Sequence, residues 1–265
     1  MTDAGGLSAR VLGTQGPPIV LLHGLVGSGR YWGAAYDVLA EHHRLVVPDL
    51  LGFGRSPRPA TGYSPDDHAD AVVACLDALG IGEPVTIGAH SLGGLVAVRL
   101  AATHPGRVGG IVAFGPPLYG DPETARAHLA GTGPMGRLIV LPGPVARVVC
   151  AWMCGHRRLA ARLAVWSHPQ LPASIAADGV QHTWASYSQT LEQVLLTADT
   201  GQWLNGLTVP LRLIAGDRDP VVDLGFLRCV AQRHDNVELD VWDGGHDLPL
   251  ARPDDCAAAV AGLAS

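Results

Sequence analysis

Over the first 115 residues, short apolar runs alternate with stretches whose apolar positions recur at helical spacing. Ala9 to Gly13 predicts a first strand and Pro18-Ile19-Val20-Leu21-Leu22 a second, which runs directly into His23-Gly24-Leu25-Val26-Gly27. Tyr31 to Glu41 reads as a helix, Arg44 to Val47 as a strand, and Asp66 to Leu79 as an amphipathic helix stopped by Gly80 and Gly82. Val85 to Ile87 is a β-branched strand, Leu92 to Ala101 a helix of small and aliphatic residues, and Val108 to Phe114 another strand. Uninterrupted apolar strands alternating with helices predict a mostly parallel sheet covered on both faces, an α/β architecture.

From Pro116 to Asn205 the alternation stops. Ala, Leu and Arg dominate, with breaks at Pro134, Pro142, Pro144, Pro169 and Pro172. This predicts a helical cap over residues 116–205, inserted into a core formed by 1–115 and 206–265. Trp152, Trp166 and Trp184 lie within it and are candidate substrate contacts, and Trp203 closes it. Arg157, Arg158 and Arg162 are read as a solvated helix face, with recognition of a substrate carboxylate as the alternative. The sheet then resumes with Pro210 to Ala215 and a last strand, Val237 to Trp242. Helices from Asp223 to His234 and from Pro253 to Leu263 flank that last strand.

Composition narrows the function classes. A chain of 265 residues, 48% hydrophobic and 16% charged, has ample material for a large core. A net charge of −6 argues against nucleic acid as the main partner. The N-terminal residues lack the basic-then-apolar pattern of a signal peptide, and the most apolar stretch, Leu138 to Cys154, is too broken to span a bilayer. The expected location is therefore cytoplasmic. Five cysteines, an odd number, argue against a disulfide framework; Cys150 and Cys154 can share a helix face and are read as buried thiols rather than metal ligands. The partner is expected to be a small molecule, and the protein a monomer or homodimer.

The candidate chemistry sits where strands end. Ala89-His90-Ser91-Leu92-Gly93 joins the β-branched strand to the helix, with small residues two positions on either side of Ser91. A serine on so sharp a turn takes a strained backbone, lifts its hydroxyl clear of the sheet and stands at a helix N-terminus, where an anion is stabilised. Two later strands end in Gly216-Asp217-Arg218-Asp219-Pro220 and in Asp243-Gly244-Gly245-His246. Singly, each residue has a structural explanation: Ser91 as a helix cap, Asp217 or Asp219 likewise, His246 as a loop histidine. Together, in the order serine, acid, histidine along one sheet edge, they point to acyl transfer by a nucleophile, a base and an orienting acid. The His23 side chain is read as a buried group bonded to backbone, with the Leu25 main chain as the functional part of that turn. His90 either modulates the site or points into the structure.

These motifs resemble the α/β-hydrolase superfamily over essentially the whole chain. His23-Gly24 is similar to its oxyanion loop, Asp49-Leu50-Leu51-Gly52-Phe53-Gly54-Arg55-Ser56 to its D-x-x-G-x-G-x-S loop, and Gly244-Gly245-His246 to its histidine loop. The resemblance to the acid loop selects Asp219 over Asp217. Two positions depart from the pattern: Ala89 at the elbow, and Ala251 where a glutamate is common before Arg252-Pro253. The resemblance implies Ser91 as nucleophile, His246 as base, Asp219 as its partner, an oxyanion hole from the N–H groups of Leu25 and Leu92, and no metal or organic cofactor. It also implies hydrolysis of a carboxylic ester or lactone, and the cap's Leu, Val, Ala and Trp predict a medium-sized, largely apolar substrate. The alternatives are a diketone carbon–carbon hydrolase, a cofactor-free perhydrolase, or a receptor without turnover. Serine at the elbow argues against the branches that carry aspartate there.

Overall fold

The structure, a computed structural model, describes residues 1–131, 143–169 and 171–264. The expected breaks at Pro134 and Pro142 and the first part of the apolar stretch from Leu138 lie outside these.

Among the described residues, eight strands form one sheet in the order β1-β2-β4-β3-β5-β6-β7-β8. They are β1 Thr2–Ala4, β2 Leu7–Leu12, β3 Pro18–Leu22, β4 Arg44–Pro48, β5 Val85–His90, β6 Val108–Phe114, β7 Leu211–Gly216 and β8 Val237–Trp242. β1 and β2 pair antiparallel at one edge, and every pairing from β4 to β8 is parallel. β1 is an addition to the predicted set; Gly5 and Gly6, both at positive φ, turn it back on β2. Every residue of β3 and β5 is buried, as expected of parallel strands covered on both faces. The strand order reverses between β3 and β5, so their C-terminal ends open the crevice in which open α/β sheets bind ligands.

Helix α1 (Pro65–Ala78) begins with Pro65 and a capping box in which Ser64 and Asp67 bond each other's backbone N–H. The helix predicted over Tyr31 to Glu41 is instead two 3-10 segments, Gly29–Trp32 and Ala35–Glu41. Gly33, at φ 59°, ends the first, and the buried rings of Tyr31, Trp32 and Tyr36 anchor the path into the core. Helix α2 (Leu92–Thr103) is buried along most of its length beneath the sheet's other elements.

Between β6 and β7 the described residues form only helices: α3 Pro122–Gly131, α4 Pro144–Gly155, α5 Arg157–Ser167, α6 Ala173–Asp178, α7 Trp184–Thr190, a π-helical turn Leu191–Leu196, and α8 Thr200–Asn205. Pro144 is the first residue of α4, Pro169 follows α5, and Pro172 caps α6. Both ends of this insertion return to the main core: Leu118, Tyr119, Leu191, Val194, Trp203 and Leu204 pack in the cluster that contains α2 and β5. After β7 the described residues form three further helices: α9 Leu224–Arg233, α10 Leu248–Ala251 and α11 Pro253–Ala264. Among the described residues no helix is long and apolar enough to cross a membrane.

Candidate active site

Ser91 stands between β5 and α2 at φ 52°, ψ −123°. Among the described residues it shares a positive φ, outside glycine, with Val26 alone. A left-handed backbone costs an L-residue about 1–2 kcal/mol, and a β-branched valine is a still less usual occupant. The two strained residues are the serine of the elbow and a residue of the loop after β3, so the strain is concentrated where the two loops meet.

Glycine at 93 is a steric requirement. A Cβ there would lie 2.7 Å from the Leu22 carbonyl oxygen and 2.8 Å from that of His23. The small residue two positions after the serine therefore lets α2 begin directly against the end of β3. From the other side, a Cβ on Gly24 would come within 3.1 Å of the Ser91 Cβ.

The three predicted side chains meet. Ser91 Oγ lies 3.0 Å from His246 Nε2, and His246 Nδ1 lies 2.9 Å from Asp219 Oδ2. The Asp219 side chain is fully buried and its other oxygen accepts the Val221 N–H at 2.8 Å. Asp217 takes a different part: half-exposed, it accepts the Gly244 N–H at 2.9 Å and pairs with Arg218, bracing the loop that carries the histidine.

The loop after β3 is held by a set of backbone-directed bonds. His23 is buried, with Nδ1 donating to the Gly24 carbonyl at 2.8 Å and Nε2 accepting the Leu50 N–H at 2.9 Å. Both bonds require the neutral ring, and burial lowers its pKa accordingly. Asp49 accepts the Gly29 N–H and the Arg55 N–H, each at 2.7 Å, while Ser56 Oγ donates to the Asp49 carbonyl at 2.6 Å. The aspartate and serine of the D-x-x-G-x-G-x-S stretch thus fasten the exit of the Leu25 loop. Among the described residues, neither the Leu25 nor the Leu92 N–H donates to a protein acceptor.

His90 points into the structure. Its ring stacks on Tyr31 at 4.5 Å, and Nε2 donates to the His246 carbonyl at 3.0 Å. Burial, with His246 close by, holds its pKa well below the usual histidine value, so it stays neutral. Tyr31 in turn donates to Asp247 at 3.1 Å. His90, Tyr31 and Asp247 together pin the backbone on which His246 is carried; no spacing in the sequence connects these three.

Gly115, just past β6, stands against the predicted acid–histidine pair, and pattern reading passed over it. It sits at φ +56°, and a Cβ there would lie 2.9 Å from Asp219 Oδ2 and 3.1 Å from His246 Nδ1. We expect Gly115→Ala to lower kcat on the order of 100-fold, because displacing a catalytic pair by a fraction of an ångström has that scale of effect. Steady-state kinetics beside a melting curve check it; a lower Tm with unchanged kcat would show that the pair does not need this space.

Residues 17–133 match the family profile described as the alpha/beta hydrolase fold. The chain has the α/β-hydrolase fold. A putative carbamate hydrolase RutD of Caulobacter sp. (strain K31) is 29% identical over 259 residues, 91% of this chain and 88% of that protein. Lipase LipV of Mycobacterium tuberculosis (strain ATCC 25618 / H37Rv) is 40% identical over 138 residues, which cover 44% of this chain and about half, 52%, of the lipase. The enol-lactonase structure from Burkholderia xenovorans LB400 has a TM-score of 0.76, covers 97% of this chain and 95% of its own, and is 22% identical, a likeness of fold.

The candidate substrate contacts in the insertion fare differently. Trp166 is 81% exposed and Trp152 41% exposed, the latter stacked on His156. Trp184 opens α7 and lies 6.1 Å from Tyr187. Trp152 and Trp166 occupy outward positions of amphipathic helices whose inward positions are Cys150 and Ala160, so their indoles face away from the protein interior. Arg158 and Arg162 form the expected solvated face, but Arg157 does not: it donates to the carbonyls of Val180 and His182 at 2.8 and 3.0 Å. The insertion instead reaches the site's support through Asp178, buried, which accepts from Ser28 Oγ at 2.5 Å and faces Arg30 at 3.4 Å. Cys150 and Cys154 share a face with their sulfurs 4.0 Å apart, Cys150 buried and Cys154 partly so. Among the described residues no group of three His, Cys, Asp or Glu side chains is arranged to hold a metal.

Proposed function

We propose that the protein hydrolyses a carboxylic ester or lactone of a medium-sized, largely apolar small molecule through an acyl-enzyme on Ser91. The observation that carries this is the continuous hydrogen-bonded line Ser91–His246–Asp219, with separations of 3.0 and 2.9 Å, beginning on a strained elbow. His246 takes the Ser91 proton as its oxygen attacks the acyl carbon, and Asp219 holds the ring with Nδ1 protonated and stabilises the imidazolium. The developing oxyanion is received by the Leu25 and Leu92 N–H groups, the latter at the N-terminus of α2; one such donor is typically worth about 100- to 1000-fold in rate. His246 returns the proton to the leaving alcohol, then activates a water that releases the acid. Residues 116–205 act as the cap over this site, tied to the Leu25 loop by the Asp178–Ser28 bond. The half-buried Leu25 and Val26, in the loop that approaches Ser91, support an apolar acyl group.

A carbamate is the second acyl class worth assaying, because the relative named a putative carbamate hydrolase aligns with 91% of this chain. The test is turnover of p-nitrophenyl esters from acetyl to dodecanoyl, alongside an aliphatic lactone and a phenyl carbamate. We expect kcat/KM to peak at a medium acyl length. Faster cleavage of short polar esters would overturn the apolar pocket, and no turnover of any member by folded protein would overturn the acyl-hydrolase reading.

A further inference from the structure

Of the large hydrophobic side chains that are exposed among the described residues, most belong to two consecutive helices. On α4 these are Val145, Val148, Val149 and Trp152, spaced i, i+3, i+4, i+7 along one face. On α5 they are Leu159, Leu163 and Trp166, spaced i, i+4, i+7 and 47–81% exposed. Soluble proteins seldom leave such stripes bare, and a helix in this pattern buries its apolar face against something.

Charge identifies the occupant. From Gly143 to Pro169 the chain contains no aspartate or glutamate, while Arg147, Arg157, Arg158 and Arg162 fall there, in a protein whose net charge is −6. Arg157 is committed to backbone carbonyls, but Arg147, Arg158 and Arg162 are exposed, and helical spacing puts Arg158 and Arg162 along one side of the α5 stripe. A second copy fits poorly: two-fold pairing of this face brings like charges together with no acid on either side. An apolar stripe carrying tryptophan and edged by arginine is the composition of a helix that lies in a lipid headgroup boundary.

We propose that α4 and α5 dock on an anionic lipid surface, with Trp152, Trp166 and their aliphatic neighbours entering the headgroup region and the bordering arginines facing lipid phosphates. This goes beyond the ester or lactone reading and does not depend on it, since binding is measured without turnover. Sedimentation with phosphatidylcholine vesicles, and with vesicles of phosphatidylcholine and phosphatidylglycerol in equal parts, tests it. Binding should occur on the anionic vesicles, weaken as salt is raised, and shift tryptophan emission to the blue by an amount that Trp166→Phe reduces and Trp152→Phe/Trp166→Phe removes. Arg158→Ser/Arg162→Ser should weaken binding about tenfold or more, and Leu159→Ser/Leu163→Ser by a similar factor. Both double variants should keep the parent's circular dichroism and its turnover of a soluble ester. No sedimentation with either vesicle, equal sedimentation with both, or a concentration-dependent dimer that Leu159→Ser/Leu163→Ser abolishes would each overturn the proposal.

Discussion

Ser91→Ala is expected to reduce kcat for the best ester on the order of 10⁶-fold, the loss seen when a serine nucleophile is removed from such a unit. The residual rate should still exceed that of water, because the Leu25 and Leu92 N–H groups and substrate binding remain. Stability should barely change. Alanine occupies the same backbone at φ 52° with the same strain, and what is lost is one hydroxyl that is nearly buried and bonded to His246. A melting curve and a competitive inhibitor's Kd, measured beside kcat, separate a chemical defect from a folding one. A variant retaining a tenth of the activity would remove Ser91 from the nucleophile's role and with it the acyl-enzyme.

Asp219→Asn is the second. The carboxylate is fully buried, receives one bond from the Val221 N–H and faces His246 Nδ1 at 2.9 Å. Asparagine keeps the shape but can turn its NH2 toward Nδ1, which favours the tautomer with the proton on Nε2, where the ring cannot accept from Ser91. We expect kcat to fall on the order of 10⁴-fold with KM little changed. Asp217→Asn is the internal comparison: half-exposed and engaged with Gly244 and Arg218, it should alter kcat only slightly. Equal losses in the two variants would mean that the histidine loop's position, rather than the charge at Asp219, dominates.

The comparison of these two aspartates also marks the reach of pattern reading. Local sequence carries strong signals where a local constraint exists. β3, β6 and β8 are uninterrupted apolar or alternating runs bounded by glycine, proline or charge, and their limits match the residues predicted. The Ser64-Pro65-Asp66-Asp67 start of α1 and the Ala89/Gly93 frame around Ser91 are local too, since each reflects what backbone geometry tolerates nearby. The region from Tyr31 to Glu41 misled because its aromatic residues carry apolar periodicity while Gly33 breaks the helix, and only the packing of Trp32 and Tyr36 shows the result.

The insertion shows the opposite limit. Its composition announces helices, and helices form, but an apolar residue on an amphipathic helix does not say which body its face will meet. Trp152 and Trp166 read equally well as pocket lining and as outer surface, and they lie on the surface. Arg157 looks like its neighbours Arg158 and Arg162 and differs because the carbonyls of Val180 and His182 come within reach of it alone.

What this sequence determines by itself is the alternation of strand and helix, the turn on which Ser91 must be strained, and the placing of an acid and a histidine after later strands. Periodicity, small residues and turn chemistry act over a few positions, so a linear reading captures them. Tertiary structure alone decides that Val26 is strained beside Ser91 and that Gly115 leaves room for the Asp219–His246 pair, and it gives Asp217, the acid that the loop resemblance passed over, its separate part in bracing the histidine loop. It also decides that His90, Tyr31 and Asp247 support the histidine loop. Those contacts join residues separated by about 25 to more than 200 positions, and their existence depends on strand order and on ångström-scale clearances that no local pattern encodes.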